Sequence, residues 1–175
     1  MIGRILAGVI VITALVAGVA MYYLQVYYFY EEVSATGTND VQLTSLVTGE
    51  VEAIPYQAFE AIDANSSPIR YRACFTTSLG LSALTETYAP YAQAAPRLAP
   101  GWFECFDAKA IGAALEDGSA RAFLGQRDVI YGIDRVVAVF EDGRGYVWHE
   151  INRCGAAVFD GNAAPEGCAT PPERN

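Results

Sequence analysis

From Ile5 to Tyr30 the chain runs for 26 residues without a group ionised at neutral pH, and a bilayer core needs only about 20 residues of helix to be crossed. No other feature constrains the fold as much, because the rest of the chain must then fold on one side of that segment. A secretory leader is the competing reading, with Arg4 and the terminal amine as its positive start and Gly18-Val19-Ala20 as its cleavage site. Against cleavage, apolar character continues past Ala20 through Met21, Leu24, Val26 and Phe29. The segment closes on MYYLQVYYFYEEV, where Tyr22, Tyr23, Tyr27, Tyr28 and Tyr30 nearly encircle a helix. Tyrosine suits the boundary of lipid and water because its ring is apolar and its hydroxyl seeks water. Glu31 and Glu32 then mark the exit from lipid, and the segment is expected to remain as an uncleaved anchor.

Positive residues beside a span tend to stay in the cytoplasm. Arg4 lies on the short side and Glu31, Glu32 and Asp40 on the long side, so the expected placement is a single pass through the inner (cytoplasmic) membrane, N-terminus in and the C-terminal domain periplasmic. The expected layout is a tail at 1–4, a span at 5–30, a linker at 31–40, a folded domain at 41–170 and a disordered tail at 171–175. Within the span, Ala14 and Gly18 form a small-xxx-small pair, a place where another helix could approach closely; such pairs also arise by chance in Ala/Gly-rich spans.

Cys74, Cys105, Cys154 and Cys168 are an even set with no C-x-x-C spacing, which argues against a thioredoxin-type pair or a zinc ribbon. In an oxidising compartment they read as two disulfides; in a reducing one they would be buried thiols. Of the three pairings open to four cysteines, Cys74 with Cys105 and Cys154 with Cys168 closes the shortest loops. Each bridge would stabilise by about 3 kcal/mol, the second by pinning GAAVFDGNAAPEG, which is poor in large apolar residues.

All 20 acidic residues lie beyond the anchor, and the net charge of the whole chain is −9. A field of that sign opposes nucleic acid and an anionic lipid surface. IRYRACFTT (69–77) alternates as a strand, with Ile69, Tyr71, Ala73 and Phe75 on one face and Arg70, Arg72 and Cys74 on the other. SLGLSALTETYAPY (78–91) reads as a helix ended by Pro90, and DAKAIGAALEDGSA as a second helix between an Asp107 N-cap and a Gly118 C-cap. The last third reads as strands, with Asp142-Gly143 at a hairpin turn. The fold class is therefore α+β: one N-terminal transmembrane helix, then a small antiparallel-sheet domain with two or three helices and two disulfides.

The stretches SPIRYRACF, LTETYAPY, APGWFECFDAKAIGAALEDGSARAFLG and YGIDRVVAVFEDGRGYVWHEIN, together with the tyrosine-rich segment, resemble a family of small single-span alphaproteobacterial proteins classed as a domain of unknown function. The resemblance implies an anchor and an outer domain, and no reaction. Some members carry a histidine-kinase label, which this chain does not support. A sensor kinase needs a phosphoacceptor histidine on a dimerising helix and an ATP-binding domain, whereas the single histidine here, His149, falls in an expected strand.

No nucleophile elbow, phosphate loop, dinucleotide fingerprint or H-E-x-x-H is present, and no catalytic, metal or cofactor residue is assigned. His149 would have to serve any Ser-His-Asp arrangement, but in WHEIN it alternates onto the face of Val147 and Ile151, as a hydrogen-bonded core or rim histidine does. Asp160-Gly161-Asn162 with Glu166 lacks the register of a calcium loop and reads as a turn. Arg70 and Arg72 could clamp a carboxylate of a ligand or partner; the plainer reading is pairing with the domain's own surplus acids. Trp102 and Phe103 could anchor a partner, the plainer reading being core packing beside a disulfide. The expected role is a non-enzymatic accessory domain on the lipid bilayer, docking on or helping assemble a membrane complex through helix and outer face. The alternative is a ligand-binding sensor that signals through a partner membrane protein.

Overall fold

The computed structural model describes residues 2–172; Met1 and the end of the expected tail, Glu173 to Asn175, lie outside them. The apolar run forms helix α1, Ile2–Tyr23, continued by a π-helical turn, Leu24–Tyr28. None of its residues is buried against the rest of the chain. That is the surface a lipid phase would cover, since a helix satisfies its backbone polar groups internally. Even the Thr13 hydroxyl is turned inward, donating to the Val9 carbonyl at 2.9 Å.

The remaining elements are β1 (Glu31–Glu32), β2 (Gln42–Thr44), β3 (Val51–Ala53), β4 (Gln57–Asp63), β5 (Arg72–Thr76), α2 (Leu81–Thr87), α3 (Ala108–Asp117), β6 (Ala120–Ile130), β7 (Ile133–Phe140), β8 (Arg144–Ile151) and α4 (Arg153–Phe159). Six strands make one antiparallel sheet in the order β1-β4-β5-β8-β7-β6, and β2 and β3 form a separate ribbon. Asp107 caps α3 by accepting from the Lys109 and Ala110 amides, and Gly118 ends it in the left-handed region at φ 84°. The anticipated 78–91 helix is shorter, because Tyr88 is already extended and the Tyr88–Pro90 segment bridges to Ser45 and Phe123.

The sheet is covered on both faces. On one, Tyr71, Ala73, Phe75, Val137, Val139 and Val147 pack with the ribbon and α2. On the other, Cys74, Val136, Ala138, Tyr146 and Trp148 pack with α3 and the Phe103–Phe106 loop. The strict alternation of residues 69–77 suggests one wet face, yet β5 sits between β4 and β8 and both its faces are interior. At the β5–β8 pairing Phe75 faces Gly145, and a Cβ there would lie 2.1 Å from the Phe75 ring, so the ring occupies the space glycine leaves.

Disulfides join Cys74 to Cys105 and Cys154 to Cys168. The first ties the sheet centre to the loop before α3. The second holds the segment after α4, a helix the low apolar content of its sequence conceals. Asn152 is the signal for it: the side chain accepts from the Cys154 and Gly155 amides at 3.0 Å each.

Candidate functional site at the junction of helix and domain

Four of the polar and aromatic residues singled out by sequence, Arg70, Arg72, Trp102 and Phe103, fall in one region, where α1 meets the sheet domain. The junction is made by the end of the apolar helix itself. Trp102 Nε1 donates to the Val26 carbonyl at 2.6 Å, a carbonyl freed by the loosened last turn. Tyr23 stacks on Tyr27 at 5.9 Å between ring centroids, Tyr27 on Trp102 at 6.4 Å, and Tyr30 meets Trp102 edge-on at 6.0 Å. Part of the tyrosine belt therefore packs against the domain. Trp102 is an anchor, but for its own chain; Phe103, one residue on, is buried in the core beside Ile62 and Cys74.

The first residues of the anticipated linker belong to the sheet. Glu31 and Glu32 pair with Asp63 and Ile62 as β1, and the Val33 amide donates to the Ala61 carbonyl at 2.8 Å. The rest is also fastened: the Asp40 carboxylate accepts from the Thr36 and Gly37 amides, each at 2.9 Å to Oδ2, and from the Tyr56 hydroxyl. The domain thus follows the helix through hydrogen-bonded backbone instead of a loose spacer.

Arg72 is 3 % exposed. Its guanidinium donates to four carbonyls: Ile69 at 2.9 Å, Tyr71 at 2.6 Å, Arg97 at 3.0 Å and Leu98 at 3.1 Å. Burial pulls its pKa down to about 10, with Arg97 and Arg70 adding to the drop and Tyr30 and Asp63 opposing it, so it stays charged at neutral pH. Arg70 donates to Gln25 Oε1 at 3.3 Å and lies over the Tyr30 ring at 5.5 Å. Neither arginine holds a carboxylate, and the ion pair among the described residues is Arg144 with Asp142. The expected partnership with the domain's own acids is replaced by backbone carbonyls and an aromatic face.

Arg72 ties the 69–71 segment to the 97–98 loop, and between them opens a cleft of about 510 Å³ lined by Gln25, Tyr30, Arg70, Arg72, Arg97 and Leu98, among others. Arg97 and Leu98 escape sequence reasoning, because APRLAP reads only as a turn between prolines. Arg97 Nε is buried with no hydrogen-bond partner among the described residues, and Leu98 is 81 % exposed.

His149 is buried within the domain. Its Nδ1–H donates to the Pro68 carbonyl at 2.7 Å, Nε2 accepts from Arg135 Nε at 3.2 Å, and the ring stacks on Tyr71 at 4.9 Å. Both nitrogens are occupied, and burial, with smaller contributions from Arg135 and Arg72, pulls its pKa down to about 4 against the Pro68 bond. Asp160 ends α4 and Gly161 turns at φ 84°, as the loop reading of that stretch expects. Ala14 and Gly18 lie exposed on α1, and beyond the helix's own adjacent backbone no described residue comes within 4 Å of a Cβ added at Gly18.

An apolar N-terminal helix long enough to cross a membrane, fastened to a two-disulfide antiparallel α+β domain, is the class these features define. The chain belongs to a family of unknown function (DUF6446), whose family model matches residues 41–169. No curated protein and no solved structure matches it.

Proposed function

We propose that this protein is a non-enzymatic accessory domain held outside the cytoplasm on an uncleaved inner-membrane anchor, N-terminus in, which docks on or helps assemble a membrane complex. The observation that carries this reading is the fastened junction. A domain that merely had to stay near the membrane would need only a tether, whereas here Trp102, Tyr27, Tyr30 and β1 fix its orientation to the helix. A fixed orientation presents one outer face and one helix face, including Ala14 and Gly18, to the same neighbour. The two disulfides support an oxidising location.

The test is photo-crosslinking in intact membranes from positions on the outer face and near Gly18. A discrete crosslinked membrane protein recovered from both sets is the expected result, and recovery of the uncrosslinked chain alone would overturn it. A second reading, a ligand sensor signalling through a partner helix, draws on the Arg70–Arg72 cleft, which opens against the end of the anchor.

A further inference from the structure

The cleft between the end of α1 and the 97–98 loop gathers positive charge in a strongly acidic protein. Arg70, Arg72 and Arg97 all line it, and none has a carboxylate within ion-pair distance among the described residues. Of the nearby acids, Glu31 and Glu32 are exposed just past Tyr30, and the two buried more deeply are hydrogen-bonded within the domain. Glu150 accepts from the Ala95 amide at 3.0 Å and from Trp148 Nε1 at 3.1 Å, and Asp63 accepts from the Ala64 amide at 2.8 Å. Arg97 Nε is buried with no hydrogen-bond partner among the described residues, so no acceptor among them takes that part of the guanidinium. Arg72 directs its donors at the carbonyls of residues 69, 71, 97 and 98, and so holds the Arg70 and Arg97 backbones on either side of the opening.

Position identifies the acceptor. The cleft is bounded by Gln25, Val26 and Tyr30, the turn where tyrosines mark the boundary of lipid and water. Beside Arg97, Leu98 presents an apolar side chain to the outside at that same level. Guanidinium groups match a phosphate in shape and charge, and phosphates are the acceptors that line a bilayer surface. Repulsion from acids elsewhere on the domain is screened beyond about 10 Å at ordinary ionic strength, so a local cluster decides the contact.

We infer that the cleft between Arg70 and Arg97 seats the phosphate of a membrane phospholipid headgroup, with Leu98 inserted among the neighbouring lipids. The site rests on the anchored-domain reading above and adds to the helix a second point at which the domain is braced on the membrane.

The experiment uses full-length protein in a phosphate-free maltoside detergent, titrated with dioleoylphosphatidylglycerol, with a dioleoyl galactolipid lacking phosphate, and with inorganic phosphate. Bound lipid is counted by native mass spectrometry and followed by the fluorescence of Trp102. The expected result is saturable binding of the phospholipid, about tenfold weaker in Arg70→Gln/Arg97→Gln and partly restored in Arg70→Lys/Arg97→Lys. Thermal unfolding of each variant checks its fold, and Arg72 is left unchanged because it is buried in the structure. Equal binding of the galactolipid, equal affinity for inorganic phosphate, or binding indifferent to the double glutamine change would each overturn the assignment. So would loss of a crosslinked protein partner with phospholipid binding unchanged, which would give the arginines to that partner. A chain that washes out of carbonate-treated membranes would overturn the anchor and this site together; one that stays in and ignores the arginine changes overturns the site alone.

Discussion

The side chain of His149 is hydrogen-bonded at both ring nitrogens and stacked on Tyr71. Its place on the Val147 face follows from strand alternation, but the Pro68 and Arg135 hydrogen bonds come from residues 81 and 14 positions away. These contacts have a pH consequence. The folded pKa of about 4 lies below the unfolded value near 6.5, so below pH 6.5 the unfolded chain takes up a proton that the folded chain refuses. Stability at His149 is complete above that pH and is lost as pH falls toward 4, by roughly 3 kcal/mol over the whole interval. Asp63 and Glu150, whose pKa values burial raises, act in the opposite sense at the acid end. The comparison of wild type with His149→Gln isolates the histidine. Denaturant titrations of the two between pH 7 and 4 should show a flatter profile for the variant, and parallel profiles would contradict the assignment.

At the scale of elements, those with strong local signals are where the sequence puts them. α3 lies between its Asp107 cap and Gly118, and the β7–β8 turn falls at Asp142-Gly143. α4 and β1 carry weak local signals because each is held by distant partners: β1 by β4, and α4 by the Cys154–Cys168 bridge and a close approach to the β6–β7 turn. A Cβ at Gly155 would come within 2.2 Å of the Gly132 carbonyl oxygen, a backbone atom that cannot step aside. Gly155→Ala should therefore destabilise by about 2 kcal/mol, as overpacking of a tight contact does. Gly112, within α3, would meet only a Pro96 side-chain atom at 3.7 Å. Gly112→Ala should be neutral or stabilise by up to about 1 kcal/mol, since alanine is the better helix former. Thermal unfolding of the two variants side by side tests the contrast. At the junction, Trp102→Ala removes the bond to Val26 and the stack on Tyr27. Limited proteolysis around residues 24–35 should then become faster while the core unfolds at nearly the same temperature; unchanged cleavage would mean the junction is held by β1 alone.

For the whole molecule, two outcomes follow from the proposed anchor and from the bridges. A reporter active only outside the cytoplasm, fused after Asn175, should be active, and activity confined to a cytoplasmic reporter would reverse the topology. Native unreduced protein should offer no thiol to a labelling reagent, consistent with both bridges being formed, and should offer four after reduction and unfolding. Quantitative labelling without reductant would contradict them.

Local or cumulative properties suffice for the long apolar helix, read from an unbroken apolar run, for α3 from its caps, for the hairpin from its turn, and for two bridges from loop length. These need no knowledge of the rest of the chain. The three-dimensional arrangement was needed to show that β5 is interior on both faces, that Arg72 directs its charge at carbonyls, and that Trp102 meets the end of the apolar helix. It also brought Arg97 and Arg70 into one cleft beside the end of the apolar helix. Each of those depends on which residues, tens of positions apart, share a solvent-free space, and alternation along one strand carries no information about what lies across from it.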